Sequence, residues 1–199
     1  MIEVEKKFIL TEEEQQRLTK GAQFLSERTF TDIYYDSADV VLTSHDKWLR
    51  FREGVAELKL PLHQGRERLV DQYEELKDEQ KIRDVLSLSA GHHLVKDLEK
   101  AGYIPFCICK TTRRKYRHEP FIIDLDIVGF ENFTYTIGEI ELMVEDASEI
   151  NEAIEKILSF AKQQNLTIAP VRGKVIEYVK RMRPEHYQTL VQVGVVKDY

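Results

Sequence analysis

Residues 2–8 read IEVEKKF, an alternation of charged and apolar side chains. Residues two apart in an extended strand project from the same face, so Glu3, Glu5 and Lys7 share one side while Ile2, Val4 and Phe8 share the other. The pattern recurs along the chain. Trp48, Arg50 and Arg52 stand opposite Leu49 and Phe51, and Glu57 and Lys59 opposite Leu58 and Leu60. Tyr73 and Glu75 share a face, as do Arg113, Lys115 and Arg117. Asp124 and Asp126 oppose Ile123, Leu125 and Ile127, while Glu139 and Glu141 oppose Ile140 and Leu142.

Any one of these pairs fits an ordinary one-sided sheet with its charged face in water. The whole set does not, because acids adjoin acids and bases adjoin bases, whereas solvated strand faces usually mix signs. Like charges side by side repel. A divalent cation together with a multiply charged anion would neutralise both kinds of cluster. Carboxylates converging from several strands suit Mg2+ or Mn2+, hard ions that prefer oxygen ligands. The arginine fork matches two phosphate oxygens, and lysine adds a compact charge. Many antiparallel-looking strands joined by short turns predict a sheet that curls or closes. A small barrel normally fills its interior with apolar side chains, so a charged interior implies a ligand.

Strand patterning covers residues 2–10, 29–36, 48–53, 56–61, 66–75, 104–118, 120–128 and 133–144. Between these lie segments with helix punctuation. Thr11 and Glu14 form a capping box for a short helix that stops at Gly21. Shorter helices are expected at 78–86 and 93–100. The strongest spans 148–162, where Ile150, Ala153, Ile154, Ile157, Leu158 and Ala161 form one apolar stripe capped by Asp146 and Glu149. A final helix from Lys174 presents Val175, Tyr178, Val179 and Met182 on one side and ends at Pro184.

The 199 residues, 42% hydrophobic and 32% charged, suffice for one domain with a real core, so a single unit over 1–199 is expected. A net charge of -6 argues against a nucleic-acid or membrane partner. No apolar run has membrane-spanning length, and the charged start MIEVEKKF is unlike a signal peptide, so a cytoplasmic protein is expected. Cys107 and Cys109 are too close along one strand to bridge readily and are expected as reduced thiols. His45, His63, His92, His93, His118 and His186 lack metal-ligand spacing, and surface or capping positions are expected for them. Gly129, Gly138 and Gly173 read as turns, and Tyr34 and Tyr35 as packing residues.

IEVEKKF resembles the ExExK signature of the CYTH superfamily, the triphosphate tunnel metalloenzymes. WLRFRE, ELKL, YEEL, IDLDIVGF, GEIELMVE and the late lysine of GKVIEY follow in the expected order, over nearly the whole chain. Within that superfamily WLRFRE, YTIGEIELMVE and RMRPEHYQTL look most like the animal thiamine-triphosphatase branch. The resemblance implies an α+β fold, a closed antiparallel eight-stranded β-barrel with helices packed outside. It implies Mg2+-dependent hydrolysis of the small molecule thiamine triphosphate to thiamine diphosphate and phosphate; Mn2+ as a substitute ion and a monomer are further expectations. By the same matching Glu3, Glu5, Glu75, Asp124, Glu139 and Glu141 look like metal-side acids, and Asp126 lies on the same face. Lys7, Arg50, Arg52, Lys59, Arg113 and Lys174 look like the triphosphate clamp, with strand alternation favouring Arg113 over Arg114. Lys7, Lys59 and Glu141 are the catalytic candidates, Lys7 as a possible base or as a plain phosphate ligand. Trp48 and Tyr73 are candidates to stack on the organic rings. An inorganic tripolyphosphatase, a cyclase acting on ATP, and a non-catalytic polyphosphate or thiamine-phosphate sensor remain alternatives.

Overall fold

The computed structural model describes residues 2–62, 69–89, 91 and 93–197. Eight antiparallel strands among them close into a barrel: β1 (Ile2–Phe8), β2 (Gln23–Ser37), β3 (Trp48–Arg52), β4 (Val55–Pro61), β5 (Asp71–Leu76), β6 (Tyr103–His118), β7 (Phe121–Gly129) and β8 (Thr134–Val144). The order around the barrel is β1-β5-β4-β3-β2-β6-β7-β8, so the first strand lies between the fifth and the last. The expected closed α+β barrel is therefore observed, and its charged faces point inward.

The outward faces are largely apolar, and helices cover two parts of them. Helix α4 (Ile150–Gln163) lays Ala153, Ile157, Phe160 and Ala161 on Val4, Phe8, Ile123, Leu125 and Ile140 of β1, β7 and β8. Each such aliphatic side chain contributes about 1.5–3 kcal/mol by leaving water, so truncating fully buried Ile157 to alanine would cost about 2–5 kcal/mol. Helices α2 (Glu79–Val85) and α3 (Leu94–Lys100) cover Tyr35, Leu49, Phe51 and Leu58 on the opposite side. Helices α5 (Lys174–Met182) and α6 (Pro184–Val193) instead bring Val175, Val179, Tyr187 and Leu190 against Phe106 and against Tyr34, Trp48, Val128 and Ile137, which share the inward face of their strands. The short α1 (Glu12–Thr19) begins with the expected Thr11–Glu14 capping box. No described helix is long and apolar enough to cross a membrane.

Several expectations are corrected. β2 starts at Gln23, not Thr29, because its pairing with β6 continues from Thr29↔Thr112 to Gln23↔Arg117 through largely exposed residues that carry no apolar alternation. β5 begins at Asp71 after a bend at Leu69 and Val70, and residues 66–68 of the expected strand lie outside the described residues. Pro184 does end α5, but it also opens α6 as its first residue, where the missing N–H costs nothing. Gly138 is no turn. It sits inside β8 opposite Phe8, and a Cβ there would lie 2.4 Å from Leu10 Cδ1. Gly129 closes β7 and Gly173 precedes α5. Cys107 and Cys109 are free and buried, as expected.

The histidines divide. His45 is exposed, while His63 and His92 lie outside the described residues. His186 departs from its expected surface position: it is buried on α6 and its Nε2 meets Thr43 Oγ1 at 2.7 Å. Burial holds its pKa below the ordinary value, and Arg183 adds to the shift while Asp36 opposes it. Lys6 is a second unexpected buried group. It points outward among apolar side chains, and its ammonium donates to Lys7 O at 2.9 Å and Ala169 O at 2.6 Å. This ties β1 to the segment that leads into α5.

The depressed His186 pKa has a direction. Near neutral pH the imidazole is neutral in both folded and unfolded chains, but below the ordinary histidine pKa the unfolded chain takes up a proton that the folded one resists. Thermal denaturation should therefore show Tm falling as pH is lowered from 7.5 to 5.5, with a shallower fall in His186→Gln.

Candidate functional site

The barrel encloses a cavity of about 1070 Å3. Strand alternation aims its wall, and the register brings charged residues of neighbouring strands into rows. Glu5 pairs across with Glu141, Lys7 with Glu139, and Glu139 with Asp124. Of the residues expected at the site, Glu3, Glu5, Lys7, Trp48, Arg50, Arg52, Lys59, Tyr73, Glu75, Arg113, Glu139, Glu141 and Lys174 all line this cavity. Asp124 is fully buried just behind Arg113.

The acids gather in two overlapping triples, Glu3–Glu5–Glu141 and Asp124–Glu139–Glu141, each offering oxygens within 4.8 Å of one another. Burial raises the Glu3 pKa to about 7; Lys59 opposes the rise, while Glu5 and Glu75 reinforce it. Burial, then the charges of Asp124 and Glu3, push Glu141 well above the carboxylate range, with Arg113 and Lys115 opposing. Asp124 Oδ1 is buried without a hydrogen-bond partner among the described residues. Crowded carboxylates that resist ionisation, together with an orphaned oxygen, form a donor set that a divalent cation fits. Glu75 lies in neither triple. It stands 3.4 Å from Lys59 and 4.0 Å from Arg50, and these cations help bring its pKa down to about 2 although burial acts the other way.

The cations face these acids and each already has an anionic partner. Lys7 Nζ is 2.5 Å from Glu5 and 2.6 Å from Asp71. Burial alone would depress its pKa, but Asp71, Glu5 and Glu139 outweigh burial and hold it well above the ordinary lysine value. Lys59 contacts Glu3 and lies 3.7 Å from Glu5. Arg113 bonds Asp126 through two nitrogens at 2.7 and 2.6 Å and also reaches Asp124 and Glu139. Arg114 points away from the cavity, toward Gln15. Arg50 bonds Glu57 at 2.7 Å, and Arg52 grips Asp32 at 2.7 and 3.0 Å. Lys174 enters from α5, outside the sheet, and reaches the same Asp32 at 2.6 Å.

Some contributors were not recognised in the sequence. Asp32 and Asp71 hold clamp cations, and Lys115 bonds Asp124 at 2.9 Å. Tyr35 packs outside as expected, but Tyr34 turns inward and its hydroxyl accepts from Arg50 at 3.4 Å. The alternation Asp32–Tyr34 against Ile33–Tyr35 carries that signal in the sequence. Trp48 and Tyr73 stand side by side, both donating to Asp46.

A model of the CYTH domain matches residues 1–167. The chain is 31% identical over 217 aligned positions to thiamine-triphosphatase of Macaca fascicularis, spanning 100% of this chain and 93% of that protein. It is 32% identical, with the same coverage, to thiamine-triphosphatase of Homo sapiens. Among solved structures, the PH1819 protein of Pyrococcus horikoshii OT3 superposes with a TM-score of 0.64 at 23% identity, covering 90% of this chain and 99% of that one. HpAC1 of Hippeastrum, whose structure was reported with a dominant triphosphatase activity, gives a TM-score of 0.55 at 17% identity, covering 92% of this chain and 97% of that one. At these identities the two structures speak to fold alone.

Metal binding requires the carboxylates ionised. With Glu3 raised to about 7, Mn2+ affinity measured by calorimetry should be full above that pH and weaken as the pH falls through it. Glu141→Gln, which removes the acid common to both triples, should lower Mn2+ affinity at every pH.

Proposed function

Because the chain belongs to the CYTH domain family, we propose that it is a divalent-metal-dependent triphosphatase that converts thiamine triphosphate to thiamine diphosphate and phosphate. The observation that carries this reading is the convergence of an acid row and a cation row on one cavity, with both rows complete. The relatives named thiamine-triphosphatase, aligned over the full chain, support the choice of substrate. Lys174 lies beyond the matched residues 1–167 yet reaches into the same cavity, which supports treating 1–199 as one functional unit.

In this reading Arg50, Arg52, Lys59, Arg113, Lys174 and Lys7 bind the triphosphate oxygens. The arginines offer planar forks and the lysines point charges. Lys7, with its pKa held high, stays an ammonium and acts as a phosphate ligand rather than as a base. The cations offset the charge that grows on the leaving diphosphate, and because they are held in place beforehand little reorganisation accompanies the reaction. Glu3, Glu5, Asp124, Glu139 and Glu141 would hold Mg2+ or Mn2+, and the metal supplies Lewis acidity and a bound water of lowered pKa. Trp48 and Tyr73 receive the thiamine rings where the clamp ends.

Purified protein should release phosphate from thiamine triphosphate in preference to tripolyphosphate and ATP, with Mg2+ and not with EDTA. A preference for tripolyphosphate would retain the clamp and discard the thiamine assignment. Metal-dependent binding with no turnover would replace the enzyme by a sensor. Glu5→Gln and Lys59→Ala should each lower kcat by roughly two to three orders of magnitude while the far-UV circular dichroism stays unchanged. Near-normal rates in both would overturn the site.

A further inference from the structure

Asp46 lies at the cavity in a place that phosphate binding does not require. It follows the 3-10 turn Thr43–His45, and its backbone is left-handed with φ of 58°. Aspartate and asparagine enter that region more readily than other non-glycine residues. The turn is anchored from below. Buried Asp36 accepts Leu42 N–H at 2.8 Å, Thr43 N–H at 2.9 Å and Thr43 Oγ1 at 2.6 Å. Thr43 Oγ1 in turn meets His186 Nε2 on α6 at 2.7 Å. So fixed, Asp46 uses one oxygen, Oδ1, for two aromatic donors: the Trp48 indole N–H at 2.7 Å and the Tyr73 hydroxyl at 2.9 Å.

That oxygen sets the orientation of both rings by their polar edges, and all three residues line the cavity. An anion bonded to the indole N–H and the phenol O–H also polarises each ring, raising electron density on its face. Electron-rich faces beside a carboxylate attract an organic cation more than a neutral base, which gains stacking alone, and give nothing to a bare phosphate chain. The phosphate clamp reaches this point, since Lys59 Nζ stands 5.5 Å from the Tyr73 ring centroid. A ligand with its phosphates on Lys59 therefore has its organic end at the aromatic pair.

We propose that Asp46 is the specificity-determining residue of this tunnel. It orients Trp48 and Tyr73 and polarises their rings, so that a triphosphate carrying a permanently cationic heteroaromatic ring is selected over inorganic or neutral-base triphosphates. The choice of substrate rests on the thiamine-triphosphate reading, but the recognition of a cationic ring can be measured without turnover. Trp48 is the single tryptophan of the sequence, so its fluorescence reports this place alone.

The probe is thiamine itself, which has the cationic ring and no phosphate, titrated into the full-length protein with Mg2+ present. Asp46→Asn keeps an oxygen acceptor, tolerates the left-handed backbone and removes the charge. Thiamine should quench Trp48 saturably in the parent protein, and Asp46→Asn should weaken that affinity about five- to tenfold. The ratio of kcat/KM for thiamine triphosphate to that for tripolyphosphate should fall by a similar factor. Quenching of equal affinity in both proteins, no quenching in the parent or, where the parent turns over thiamine triphosphate, an unchanged substrate ratio would each overturn the proposal. If the parent hydrolyses only tripolyphosphate while thiamine still quenches in an Asp46-dependent way, the thiamine-triphosphatase reading fails and the cation-selective site stands.

Discussion

Closing a sheet whose charged residues share one face places those charges inside, where each must find a counter-charge. Two unit charges at 4 Å interact by about 1 kcal/mol in water and about 4 kcal/mol in the partly screened setting of a protein. The cations expected to form the clamp accordingly contact carboxylates: Lys7 with Glu5 and Asp71, Arg52 and Lys174 with Asp32, Arg113 with Asp126.

The same inversion explains the helices. With charges inside, the apolar side of the strands faces outward, and α4 and α2 with α3 cover it on two sides, while α5 and α6 pack on inward-facing Tyr34, Trp48, Val128 and Ile137. The covers are not passive. α5 delivers Lys174 through the end of the barrel to Asp32, and α6 supports the turn around Thr43. Packing on the outside thus fixes geometry on the inside, as preorganised sites require.

The barrel and most of its lining could be read from the sequence because period-two alternation runs through WLRFR, IDLDI and GEIEL and, Lys6 apart, through IEVEKKF. Where that signal fails, so does the reading. The first half of β2 is exposed and pairs with β6 alone, so nothing in its hydrophobicity marks it as strand. Asp32 and Asp71 escape notice because each meets its cation on a neighbouring strand distant in sequence, Arg52 for Asp32 and Lys7 for Asp71, while Asp46 sits in a turn outside any alternating run. Lys6 breaks the outward apolar face of β1 and is satisfied by a carbonyl 163 residues away. No local pattern encodes such a partner. Pro184 is ambiguous in principle, since the ring that ends one helix is equally suited to begin the next.

The strand order has a consequence for how the molecule comes into being. β1 can pair with β5 once the chain has reached Leu76, but its other edge waits for β8, which ends at Val144. Until then β1 carries an open edge, the kind of template that invites wrong pairing. The last seam to form is also the one that sets Glu5 beside Glu141. Maturation is therefore all or nothing at this seam: a chain released or cut before β8 is made lacks the carboxylate common to both acid triples, and no fragment can inherit a share of the chemistry.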